Sequence, residues 1–113
     1  MDLEKRKYYN NKYENLAELL GSFLFATYDL NETDEETIRK HVLLYDSESI
    51  KDTLKEGKEV LALKPFPHEW VYAVTGYLSL DRIKADTKEE KFKKWVSWMM
   101  EALEKEGKKQ GKL

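Results

Sequence analysis

The stretch that decides the fold is TKEEKFKKWVSWMMEALEKEG, residues 87–107. Thr87 with Glu90 three residues on makes a capping box: the hydroxyl accepts an orphan backbone N–H, and the acid reaches back toward the cap. From there Phe92, Trp95, Val96, Met99 and Leu103 recur at three- and four-residue spacing, the period of a helix that buries one face. Lysines and glutamates occupy the other face, and Glu106-Gly107 marks the stop. Trp98 sits roughly 120° around the helix from the centre of this stripe, so it packs under a neighbouring segment or forms part of a contact patch. A helix with so wide an aromatic face must be covered by other elements, and the chain supplies them upstream as more helices.

Moving toward the N-terminus, Pro67 suits the first position of a helix whose inner face is Trp70, Ala73, Val74 and Tyr77. Val71, Tyr72, Val74, Thr75 and Tyr77 also favour strands, so a strand competes there. Lys64-Pro-Phe-Pro67 ends a preceding helix that starts near Ser47 and carries Ile50, Leu54, Gly57 and Leu61. Thr33-Asp-Glu-Glu36 is a second capping box, and its three acids suit the positive end of the helix dipole. The stripe behind it is Ile38, Val42 and Tyr45, widened by Leu43 and Leu44. The first helix is expected to start with Asn15 as N-cap and to bury Leu16, Leu19, Leu20 and Phe23, with Gly21 inside the stripe. The expected fold is therefore mainly α: a single compact, bundle-like domain of about five helices over residues 1–113, with 1–12 and 105–113 as flexible ends.

Composition agrees. A chain of 113 residues is the usual size of one domain, and 12% aromatic residues provide core volume. No apolar run approaches the ~18–20 residues of a membrane helix. The N-terminal MDLEKRKYYNNKYE lacks the apolar core of a secretory signal, so a cytoplasmic location is expected. The net charge of −2 conceals an uneven distribution: residues 14–56 hold eleven acids and four bases, while both ends are mildly basic.

Chemistry-bearing constellations are scarce. With no Cys there is no thiolate nucleophile, disulfide or zinc-thiolate site. His41 and His68 are followed four residues on by Tyr45 and Tyr72, which are poor metal partners, and both histidines read as boundary residues. Asp29-Leu-Asn-Glu-Thr33 opens like a calcium loop, but Asp34 stands where the loop needs Gly and Lys40 where it needs Glu. The five Gly are scattered and form no phosphate loop. No metal, cofactor or catalytic residue is expected. Carboxylate catalysis in a cleft remains a minor alternative. A nucleic-acid-binding or regulatory protein, using Lys105, Lys108, Lys109 and Lys112 with Trp98, is another, although the acidic middle would repel a polyanion.

The segment Tyr13-Glu-Asn-Leu-Ala-Glu-Leu-Leu-Gly-Ser-Phe-Leu-Phe-Ala-Thr-Tyr-Asp-Leu30 resembles the opening of one group of contact-dependent growth inhibition immunity proteins. That opening has a Tyr-Pro-Asn-Leu helix start, a Leu-Leu-Gly step, aromatic residues and Asp-Trp-Asp-Leu. The acidic helix start at 33–38 and the closing segment around Trp95 are also similar, so the likeness spans roughly residues 13–104. The chain departs from it at Glu14 (Pro in the family), Phe25 (His), Thr27 (Asp) and Tyr28 (Trp), and keeps Asp29. The resemblance implies a cytosolic protein that binds and neutralises the C-terminal toxin domain delivered by a neighbouring bacterium, often a nuclease and especially an RNase. An acidic surface suits a nuclease's cationic cleft, because complementary fields speed association. The expected partner is thus a cognate toxin domain, with no direct contact to nucleic acid, membrane or metal. Charge and loop position make Tyr28, Asp29, Asp34, Glu35, Asp46 and Glu48 the candidate toxin-binding residues, an exposed acid set with one aromatic anchor.

Overall fold

The computed structural model describes residues 1–25, 32–76 and 80–113, the side chain of Phe25 excepted. Among them are six helices and no strand: α1 (Leu3–Lys12), α2 (Glu14–Phe25), α3 (Asp34–Leu44), α4 (Ser47–Leu61), α5 (His68–Val74) and α6 (Lys88–Lys109). The mainly-α expectation is met, with one helix more than the sequence led us to count. Helix α6 is the spine, and α3, α4 and α5 pack on it, while α2 closes the other side against α1, α3, α4 and α5.

The capping hydroxyls act as anticipated. Thr33 Oγ1 accepts the Glu36 N–H at 3.2 Å and Thr87 Oγ1 accepts the Glu90 N–H at 3.1 Å. The apolar stripes then meet in one core. Leu16, Leu19, Leu20 and Phe23 of α2 are fully covered, as are Val42 of α3, Ile50 and Val60 of α4, and Trp70 and Val71 of α5. Phe23 meets Trp95 of α6 edge to face at 5.0 Å, a geometry that aligns ring edge with ring face. The stretch that could have been a strand is helical over His68–Val74, with Pro67 as N-cap rather than first helical residue. Tyr77 lies outside the described residues.

Helices α4 and α6 run antiparallel, since Gly57 faces Met100 while Ile50 lies beside Gly107. The approach at Gly57 is close: a Cβ there would come within 2.8 Å of Met100 Cγ and nearer still to its sulfur. Glycine at this position leaves room for the Met100 side chain, and its backbone conformation does not call for it.

Three expectations are corrected. Of residues 1–12, expected to be flexible, Leu3–Lys12 form α1, which Asp2 caps by accepting the Lys5 N–H at 2.8 Å. Asn10 Oδ1 accepts the Trp70 indole N–H at 2.8 Å, and Tyr9 and Tyr13 lie against the Trp70 ring at 5.5 and 6.1 Å. No residue of α1 is buried, so the helix has no apolar stripe to read. Secondly, Asn15 is not the cap of α2. Glu56 of α4 takes that role, accepting the Asn15 N–H at 3.0 Å, the Leu16 N–H at 3.3 Å and the Asn15 side-chain amide at 2.7 Å.

Thirdly, the C-terminal residues continue as helix and turn. Helix α6 runs to Lys109 and closes in a Schellman turn: Gly111 sits at φ 73°, its N–H donates to Lys108 O, and the Lys112 N–H donates to Gly107 O at 2.8 Å. Glycine adopts this left-handed conformation without steric cost. Leu113 then folds over Gly107, which has no side chain to obstruct it.

Candidate functional site

The C-terminal turn delivers Lys112 to the end of α3. Its ammonium donates to the carbonyls of Val42, Leu43 (3.1 Å) and Tyr45 (2.7 Å). The last carbonyls of a helix have no intrahelical partner and carry the negative end of its dipole, so a cation there is doubly favoured. Ser47 Oγ donates in turn to the Lys112 carbonyl at 2.6 Å, and Gln110 Nε2 donates to Arg39 O at 3.3 Å.

From the other side, Tyr45 Oη donates to Glu18 of α2 at 2.7 Å. That bond, helped by partial burial and the carboxylate's charge, pushes the Tyr45 phenol up to about 12. His41 stacks on the Tyr45 ring with centroids 4.1 Å apart. Burial pulls the His41 imidazole down to about 4, partly opposed by the charge of Glu18. Its Nδ1 is buried and has no hydrogen-bond partner among the described residues. Asp46 begins α4 by accepting the Ser49 N–H at 2.8 Å. This bond, with the Lys112 charge nearby, holds the Asp46 carboxyl below its ordinary value.

The junction between α3 and α4 is therefore tied to α2, to the start of α4 and to the C-terminus. On it stand Leu43 and Leu44, expected to be core, but 61% and 81% exposed. Both project well away from the inward face of Ile38, Val42 and Tyr45. At ~100° per residue they lie roughly 120–140° from Ile38, a displacement that could have been read from the helical wheel.

Of the six candidate contact residues, Asp46 and Glu48 are exposed at the start of α4, just after this leucine pair in the chain. Glu35 is exposed at the opposite end of α3, beyond the exposed bases Arg39 and Lys40. Asp34 is not part of an exposed acid set. Its carboxylate, 12% exposed, accepts the Trp95 indole N–H at 3.0 Å and pairs with Arg82. Tyr28 and Asp29 lie outside the described residues. Other acids of the 14–56 tract also have internal partners: Glu32 pairs with Lys40, Glu36 takes the Thr33 hydroxyl, and Glu18 and Glu56 are engaged as described. Three acids of the tract, Glu18, Asp34 and Glu56, thus tie helices together, while Glu14, Glu35, Asp46, Glu48 and Asp52 are exposed.

Of the other constellation, Lys105, Lys108 and Lys109 are exposed on one face at the end of α6, while Lys112 and Trp98 are turned to other contacts. Lys112 is occupied at α3, Lys108 pairs with Glu104 at 3.5 Å, and Trp98 is half-buried against the core. Among the described residues no group of three His, Asp or Glu side chains is placed to hold a metal ion, and no helix is long and apolar enough to cross a membrane. Comparison with protein-family models, with curated proteins and with solved structures finds no match to this chain.

Proposed function

We propose that this protein acts by binding another protein, as an immunity protein that occupies a bacterial toxin domain, an expectation carried by the resemblance of residues 13–104. The observation that supports a protein partner is the Leu43–Leu44 pair. Full burial of a leucine side chain is worth about 1.5–3 kcal/mol, and neither is buried in the chain alone. Isolated exposed leucines are common, but adjacent ones on a junction braced from three directions are a preorganised apolar anchor. Asp46 and Glu48, both exposed, follow the pair within four residues and add acidic groups to the junction. The complementary surface is apolar at its centre with lysines or arginines around it, which matches the rim of a nuclease cleft.

Binding here is stoichiometric blockade and needs no catalytic group. Co-expression with the toxin domain encoded beside this gene tests it: growth is restored and the two proteins co-purify. Leu44→Asp, made at an exposed site that leaves the fold intact, weakens capture at least tenfold. Absence of both rescue and co-purification would refute the proposal. A Leu44→Asp variant that binds as tightly as the parent would remove the α3–α4 junction from it.

A further inference from the structure

We propose that a second copy of this chain docks along the groove between α4 and α6, on the face away from α2 and α5. The groove has a volume of about 440 Å³. Its floor is apolar: Leu54 and Leu61 are half-buried, and Met100 reaches over Gly57. Its walls carry opposite charge. Lys55 and Lys58 rise from α4, and Glu101 and Glu104 rise from α6, all four exposed. Among the described residues the walls are not ion-paired with each other; Glu104 pairs with Lys108 of its own helix.

A groove with one cationic and one anionic wall is complementary to itself. A two-fold axis along the groove sets each copy's lysine wall over the other's glutamate wall, and apolar floor over apolar floor. A two-fold axis across the groove would set lysine over lysine. Electrostatics therefore selects the first arrangement. Because α4 and α6 are antiparallel, that arrangement lays each α4 antiparallel to the partner's α6, the packing of an up-down four-helix bundle. The contact is isologous and closed, so it stops at two copies. The floor is modest in area, which sets the association in the weak class of interfaces.

Charge reversal tests this. Sedimentation of the full chain at low ionic strength, over rising protein concentration, gives a mass moving from 13.4 kDa toward twice that value. The double variant Lys55→Glu/Lys58→Glu has two anionic walls, and Glu101→Lys/Glu104→Lys has two cationic ones. Each alone associates at least tenfold more weakly than the parent. Mixed in equal amounts they restore a dimer, since every wall then meets its opposite. Circular dichroism verifies that these surface variants are folded. A parent that stays monomeric up to millimolar concentration overturns the proposal. So does a single-wall variant that dimerises like the parent, or a mixture no more associated than its components. Capture of the toxin domain through Leu44 is unaffected by these variants, so the two proposals fail separately.

Discussion

Replacing Lys112 by methionine keeps the aliphatic stem and removes the ammonium from the end of α3. Three carbonyl acceptors, those of Val42, Leu43 and Tyr45, lose their donor. A hydrogen bond to a charged group contributes about 1.5–3 kcal/mol. Taking the low end for each, because the site is only half-buried and water can replace part of the donor, gives ~4.5 kcal/mol gross. Against this stands the rotamer entropy regained when a long cation is no longer held, about 2 kcal/mol. The expected loss is therefore ~2–3 kcal/mol, or a melting temperature lower by about 10 °C for a domain of this size. Urea unfolding followed by tryptophan fluorescence, at constant m-value, measures it. Amide hydrogen exchange at residues 41–45 should quicken beyond the global change, since the C-terminal turn of α3 loses its external cap. A Lys112→Met variant within 0.5 kcal/mol of the parent would show that the C-terminal strap is incidental to stability.

His41 makes stability depend on pH. Its imidazole titrates near 4 in the fold against an ordinary value of 6.5, so the unfolded chain binds a proton first as pH falls. The stabilisation is complete above pH 6.5 and is lost between 6.5 and about 4, amounting to ~3 kcal/mol. The parent should lose stability more steeply than His41→Phe across that window, and parallel curves would exclude the assignment. Asp34→Ala leaves the Trp95 indole N–H, in a side chain 1% exposed, without its acceptor. A loss of about 1–3 kcal/mol is expected, mostly recovered by Asp34→Asn, which keeps an acceptor oxygen; denaturant midpoints of the three proteins decide it. Gly57→Val drives methyl groups into Met100 and should cost about 2 kcal/mol. Met100→Ala in the same chain should then recover at least half of that, whereas strictly additive losses would place the strain elsewhere.

The helices were legible because their signals are local. Thr33 and Thr87 cap within three residues of themselves, and the stripes of α2 and α6 can be counted along the chain. The same locality explains what was misread. Helix α1 has no fully buried residue and no apolar stripe, and it is anchored through Trp70, sixty positions from Asn10. The candidate site was legible only in Asp46 and Glu48. Asp34 looked like another surface acid because nothing near it in sequence announces Trp95, its partner 61 residues away.

By itself the sequence determined an α-helical class, the inward faces of α2 and α6, and the absence of cysteine chemistry. Periodicity and capping depend on residues three or four apart, and composition depends on no arrangement at all. Only the tertiary structure decided which charges are surface and which are internal ties, that Glu56 caps α2 from 41 residues away, and that Lys112 closes α3 from 67–70 away. The reason is physical: a side chain's exposure is set by whatever packs over its helix face, and that is chosen by contacts between segments far apart in the chain.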